Sequence, residues 1–251
     1  MGNPFDSAAI AERYVRGRLY YHPQALRIAL RQLAIDRAGV AVDVACGTGL
    51  STRAVLDVAR RVVACDASVA MVRTAERNPR AQFVTAAAEQ LPLKDGIAEL
   101  ATVAAAFHWF DPAQVLAELA RVLRRGGGLA VYSDYFHGRL VERPAFAEWM
   151  RGEYMSRYPS VRRRPHFDPD AATAAGFGPT TSSDHEWRAP MTCEAAAAYL
   201  VSQSNTAAAT SEANLPELQH ALTEEIRPFF PENGPAEAVF TLRVCTTTLR
   251  R

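Results

Sequence analysis

Short apolar runs alternating with amphipathic, helix-like segments fill the middle of the chain. "VAVDVA" (40–45), "RVVACD" (61–66), "AQFVTA" (81–86), "ELATVAAA" (99–106) and "GLAVYSD" (128–134) read as strands. Their apolar character is continuous rather than alternating, which suits strands covered on both faces. Between them the pattern predicts helices over 51–59, 68–77 and 112–124. Strand–helix alternation with short links predicts an α/β, doubly wound, mostly parallel sheet. "RRGGG" (124–128) is expected to end the last of these helices, with basic residues at its negative end and a glycine exit. The first 38 residues read as helical, with Leu26, Ile28, Leu30, Leu33 and Ile35 on a broad apolar face and Pro23 in a first turn. After Asp134 the pattern predicts helices over 143–157, 192–203 and 212–227, a Pro-broken link "RRRPHFDPD" (162–170), and strands over 181–189 and 238–249. The last is rich in β-branched residues.

Length and composition narrow the picture. The 251 residues suffice for one sizeable core, so a single domain over 1–251 is expected. A net charge of +1 gives no field that would gather nucleic acid or a membrane surface. The function must therefore lie in a local site. Four scattered cysteines without C-x-x-C spacing predict neither a zinc knuckle nor a redox motif, and fit a reducing cytoplasm. "MGNPFDSAAI" lacks the basic and apolar regions of a signal peptide, Asp6 stands where a myristoylation signal needs Ser or Thr, and no apolar run approaches a membrane span. The histidines are dispersed, and no metal site is expected.

The chemistry concentrates in "VDVACGTGLST" (42–52). Gly47 and Gly49 let a ligand approach the backbone at the carboxyl end of the first core strand, where open α/β sheets bind ligands. A dinucleotide fingerprint is incomplete, because Thr52 stands at its last position and Asp43 would repel a pyrophosphate. A P-loop is excluded, because no lysine follows the glycines. A ligand with positive charge and no phosphate fits better, and S-adenosylmethionine is one. Asp66 ends the second strand, 19 residues after Gly47, where an acid takes ribose hydroxyls. Ala88 and Glu89 follow the third strand, where an adenine edge would lie.

"VDVACGTG", "VVACDAS", "AAAEQLPL", "FHWFD" and "ARVLRRGGGLAVY" come in the order and spacing of class I S-adenosylmethionine-dependent methyltransferases. The chain most resembles their type 11 small-molecule group, near the trans-aconitate methyltransferase-like enzymes. The resemblance covers about residues 10 to 135, and "VFTLRVCTTTLRR" is similar to the family's last strand. It implies a Rossmann-like, seven-stranded sheet with an antiparallel last strand. It also implies a helical N-terminal lid (1–38), a cofactor-binding core (39–135), and a substrate-side helical insertion with the final strands (136–251). Carried over, Asp43, Ala45, Cys46, Gly47, Thr48 and Gly49 would wrap the methionine end. Asp66 with Ala67 would hold the ribose, Met71 would lie against adenine, and Ala88 and Glu89 would meet its amino edge. "RLYYHP" resembles a lid segment in which Arg18 reaches the cofactor carboxylate and Tyr14 and Tyr21 close over it. Ala105 and Phe107 complete the cofactor set.

"AAFHWFDP" (105–112) follows the fourth strand, at the usual edge of a methyl-transfer cleft. His108, Trp109 and Tyr135 are the substrate-side candidates, and His108 is the catalytic one. His108 would either take a proton or only position the acceptor. A carboxylate is ionised at neutral pH and needs orientation alone, whereas a phenol or ammonium must lose a proton. The structural alternatives are that Trp109 packs over core, that Met71 fills a helix core, and that Cys46 and Cys65 are small buried fillers. Arg162, Arg163 and Arg164 read as a solvated face before an anion clamp. The expected reaction is methylation of a small molecule at oxygen, with nitrogen or carbon, or cofactor binding without transfer, as alternatives. A monomer or homodimer without nucleic-acid or membrane partners is expected.

Overall fold

The computed structural model describes residues 7–159 and 165–250. Arg162, Arg163 and Arg164, and most of the "MGNPFDSAAI" segment, lie outside the described residues.

Two helices open the chain, α1 (Ala8–Gly17) and α2 (His22–Leu33). The core then alternates as β1 (Ala38–Val44), α3 (Leu50–Val58), β2 (Ala59–Asp66), α4 (Val69–Thr74), β3 (Ala81–Thr85), β4 (Ala98–Ala104), α5 (Pro112–Val122) and β5 (Leu123–Leu140). The remainder comprises α6 (Pro144–Trp149), a π-helical turn (Met150–Tyr154), α7 (Met155–Arg157), α8 (Pro169–Ala174), β6 (Thr181–Met191), α9 (Cys193–Val201), α10 (Ser204–Ala209), α11 (Leu215–Ile226) and β7 (Ala236–Thr248). The seven strands form one sheet in the order β3-β2-β1-β4-β5-β7-β6, mostly parallel with one antiparallel strand. This is the doubly wound fold expected from the sequence.

Contacts divide the described residues into two compact units. One comprises 20–133, 165–184 and 243–250. Its core is the parallel ladder, in which Asp43 pairs with Ala64 on β2 and with Thr102 on β4. Val42, Val44, Leu119, Val131 and Phe177 are fully or almost fully buried within it. The other unit comprises 7–19, 134–159 and 185–242. Gly17 brings α1 close to α9: a Cβ there would stand 2.6 Å from the Ala198 carbonyl and 2.9 Å from the Ser202 Cβ. An aromatic core of Phe136, Phe146, Trp149, Tyr199 and Phe240 fills this unit.

Three local expectations are corrected. The N-terminal helical region breaks between Gly17 and His22, because Pro23 has no N–H for the Leu19 carbonyl that a continuous helix would present. "RRGGG" does not end α5, which stops at Val122; the run lies inside β5. There Leu123 pairs with Ala98 and Gly128 with Leu100, so residues 124–127 bulge out. The bulge is fastened by Gly126 donating to the Leu249 carbonyl at 3.0 Å and Leu249 donating to that of Gly127 at 2.9 Å. Finally, Pro169 starts α8 rather than breaking a link, with the Asp168 side chain capping the Ala171 N–H.

Candidate active site

The carboxyl ends of β1, β2 and β4 carry the candidate residues. After Val44 the chain turns through Ala45 and Gly47, both at φ 55°, and Gly49 at φ 85°. Gly49 is required twice over. Its φ is left-handed, and a Cβ would press on Ala75 and the Phe83 ring at 3.3 Å. A Cβ on Gly47, by contrast, would meet no atom within 4 Å. That open space is what a close-lying ligand needs.

Asp66, half-buried at the tip of β2, ties this turn to the next element. Its Oδ2 accepts the Gly47 N–H and its Oδ1 the Ser68 N–H, both at 2.8 Å. Burial raises its pKa, and these two hydrogen bonds oppose the rise. A carboxylate offers about four acceptor positions, so two stay available for hydroxyl donors.

Asp43 behaves differently. It was expected to wrap the methionine end, but it is 0% exposed. Ser51 and Thr52 donate to its Oδ2 at 2.6 and 2.7 Å, and Thr102 donates to Oδ1 at 2.8 Å. Burial pushes its pKa up against those hydroxyls. Its carboxylate staples the start of α3 to β1 and β4. Thr52, which spoils the dinucleotide fingerprint, is thus part of an acid–hydroxyl knot. The hydroxyls at 51 and 52, just past the glycine turn, are the sequence signal for this knot.

Thr48 is buried, and among the described residues its Oγ1 has no partner. A buried hydroxyl without a partner is costly, which marks a place for a polar ligand group. Cys46 and Cys65 are buried free thiols, both with pKa raised by burial and Cys65 to about 12. They are fillers and not nucleophiles. Met71 is buried in α4, its N–H on the Ser68 Oγ at 3.2 Å, while Ala67 is exposed. Ala88 is buried and Glu89 half-buried in the loop after β3, which Ala86 anchors by donating to the Asp66 carbonyl at 3.0 Å.

Past β4, Ala105 takes a left-handed φ of 50° and donates to the Tyr132 carbonyl at 2.8 Å. Phe107 was expected at the cofactor, but its ring is in the core against Phe167 and Phe110, at 5.3 and 6.3 Å. Only its backbone remains for a ligand. His108 is half-buried, its ring 5.1 Å from that of Trp109, which is 43% exposed. Tyr21 is buried, its ring stacked on His22 at 4.3 Å.

Three expected residues, Tyr14, Arg18 and Tyr135, belong to the other unit. There Arg18 donates to the Ser202 carbonyl at 3.1 Å and lies over the Tyr14 and Tyr199 rings at 4.8 and 5.7 Å. Tyr135 stacks with His137 at 6.4 Å. Among the described residues, no helix is long and apolar enough to cross a membrane.

Residues 42–131 match the family described as "Methyltransferase domain". A methyltransferase of Mycobacterium tuberculosis is 36% identical over 132 residues, 52% of each chain. A malonyl-[acyl-carrier protein] O-methyltransferase of Pseudescherichia vulneris is 37% identical over 133 residues, 50% of this chain and 53% of its own. The chain thus spans about half the length of the curated relatives it matches. A solved type II methyltransferase candidate from Anaeromyxobacter dehalogenans shares the fold, with a TM-score of 0.66, 24% identity, and coverage of 89% of this chain and 96% of its own.

Proposed function

We propose that the chain is a class I S-adenosylmethionine-dependent methyltransferase that transfers the methyl group of S-adenosylmethionine to an oxygen of a small molecule, a reading supported by the match of residues 42–131 to a methyltransferase domain. The observation that carries this reading is Asp66, whose two oxygens each hold one backbone N–H beside the open space at Gly47. That arrangement leaves the carboxylate fixed, with acceptor positions open to two ribose hydroxyls. The buried Thr48 hydroxyl adds a polar group on the same turn. Ala88 and Glu89 meet the adenine edge, and Ala67 and Met71 flank the nucleoside.

When bound, the cofactor supplies an electrophilic methyl group on a sulfonium. The protein's own residues then act by placement. Trp109 offers an exposed apolar face for the acceptor, and His108 hydrogen-bonds its oxygen. For a carboxylate acceptor His108 only orients; for a phenol it also takes the proton. Oxygen is favoured over nitrogen or carbon by the likeness to an enzyme named as an O-methyltransferase. Four scattered cysteines without C-x-x-C spacing support a cytoplasmic setting.

The test is a panel of carboxylic acids, phenols and amines incubated with the protein and S-adenosylmethionine. Mass detection should show a gain of one CH₂ on an oxygen acid, with S-adenosylhomocysteine released. Binding of the cofactor with no product from any acceptor would overturn the transfer reading. Calorimetry showing NADH bound in its place would overturn the cofactor reading.

A further inference from the structure

Two residues on α5 hold the loop after β3 although neither belongs to the site. Arg121 and Glu118 lie three apart, so they share one helix face. Arg121 Nε donates to Glu118 Oε2 at 2.8 Å and Nη2 to Oε1 at 2.7 Å, a two-pronged pair. The pair then grips loop backbone. Glu118 Oε1 accepts the Leu91 N–H at 2.6 Å, while Arg121 Nη2 donates to the Leu91 carbonyl at 3.1 Å and Nη1 to that of Leu93 at 2.7 Å. Arg121 Nη1 also meets Asp95 at 2.6 Å, and the Arg121 carbonyl accepts the Gly96 N–H at 2.9 Å. Leu91 itself is buried in the core cluster. The segment from Ala86 to Gly96 is therefore fixed at Ala86 by the Asp66 carbonyl and at 91–96 by α5. Ala88 and Glu89 lie between the two anchors.

We propose that Glu118 and Arg121 are positioning residues that set the selectivity of the site for adenine, by holding Ala88 and Glu89 at one fixed height. This rests on the cofactor reading above and extends it to residues that touch no ligand. A backbone hydrogen-bonding edge discriminates one base from another only if it does not follow the base. A charged fork on backbone carbonyls provides that rigidity, and a loop without it would adjust to any purine.

The test measures by calorimetry the affinity of the full chain for S-adenosylhomocysteine and for its 6-oxo analogue, S-inosylhomocysteine. Wild type should prefer the adenine form by at least about tenfold, because the analogue leaves the polar groups of the site mismatched. Glu118→Gln and Arg121→Lys should lose most of that preference through weaker binding of the adenine form, the analogue being bound nearly as before. Arg243→Lys weakens a comparable fork to Asp184, with contacts of 2.7 Å, and should leave the preference intact. If folded Glu118→Gln keeps the wild-type preference, the proposal is overturned. It is also overturned if both ligands weaken equally, which is the mark of general loosening. Failure of wild type to bind either ligand would instead overturn the cofactor reading.

Discussion

Asp43 and Asp66 end or nearly end adjacent strands, yet the Asp43 carboxylate is held by buried hydroxyls while that of Asp66 is held by two backbone N–H groups. Asp43→Ala would strand the buried Ser51 and Thr52 hydroxyls and leave that of Thr102 only the Val42 carbonyl, so unfolding in urea should show a loss of about 2–3 kcal/mol. Asp66 is half-buried and keeps acceptor positions open. Asp66→Ala should weaken S-adenosylhomocysteine by at least about fivefold in a calorimetric titration, the equivalent of ~1 kcal/mol. Unchanged affinity would remove Asp66 from the site. His108→Ala should lower turnover by about a hundredfold if the acceptor must lose a proton, with cofactor affinity intact. A normal rate would return the substrate side to Trp109 and its neighbours. The sequence made the type of these residues legible, but not whom they face. An acid at a strand tip looks the same in the chain whether hydroxyls or solvent surround it.

At the scale of elements, periodicity located β1 to β4 to within two residues, because continuous apolar runs suit strands buried on both faces, but β5, expected over 128–134, runs Leu123–Leu140. It failed where a contact distant in sequence decides. The glycines at 126–128 read as a helix exit, but the bonds of Gly126 and Gly127 to Leu249 and the pairing of Gly128 with Leu100 draw them into β5. Gly17 poses the same problem in reverse. At the last residue of α1, alanine should gain at most ~1 kcal/mol over glycine, the helix-interior limit of the propensity difference. The Ala198 carbonyl at 2.6 Å from the position of a Cβ opposes that gain. Overpacking costs about 1–3 kcal/mol, so Gly17→Ala should be net destabilising in chemical denaturation. A stabilised variant would show that α1 sits loosely on α9.

For the whole molecule, acid is where stability should fail first, and His166 supplies one cause. Burial and the nearby Arg243 lower its pKa from 6.5 to about 4, although its Nδ1 lies 3.1 Å from the Ser133 Oγ. The folded chain resists protonation there while the unfolded chain does not. Its contribution is therefore fully present above pH 6.5 and is lost as pH falls toward 4, up to about 3 kcal/mol. Urea midpoints at pH 7, 5.5 and 4 should fall in wild type and fall less in His166→Gln. Asp43 and Asp66, whose pKa values are raised, act with the opposite sign. An identical slope in the variant would place the cause elsewhere. One earlier detail reaches beyond stability. All four thiols are buried, and the Cys46 sulfur lies 3.8 Å from the Gly47 carbonyl oxygen. A disulfide reagent such as Ellman's can reach that sulfur only while the turn swings open. The rate of its reaction is thus a built-in clock for the opening of that turn, and S-adenosylhomocysteine should slow it if the cofactor sits there as proposed.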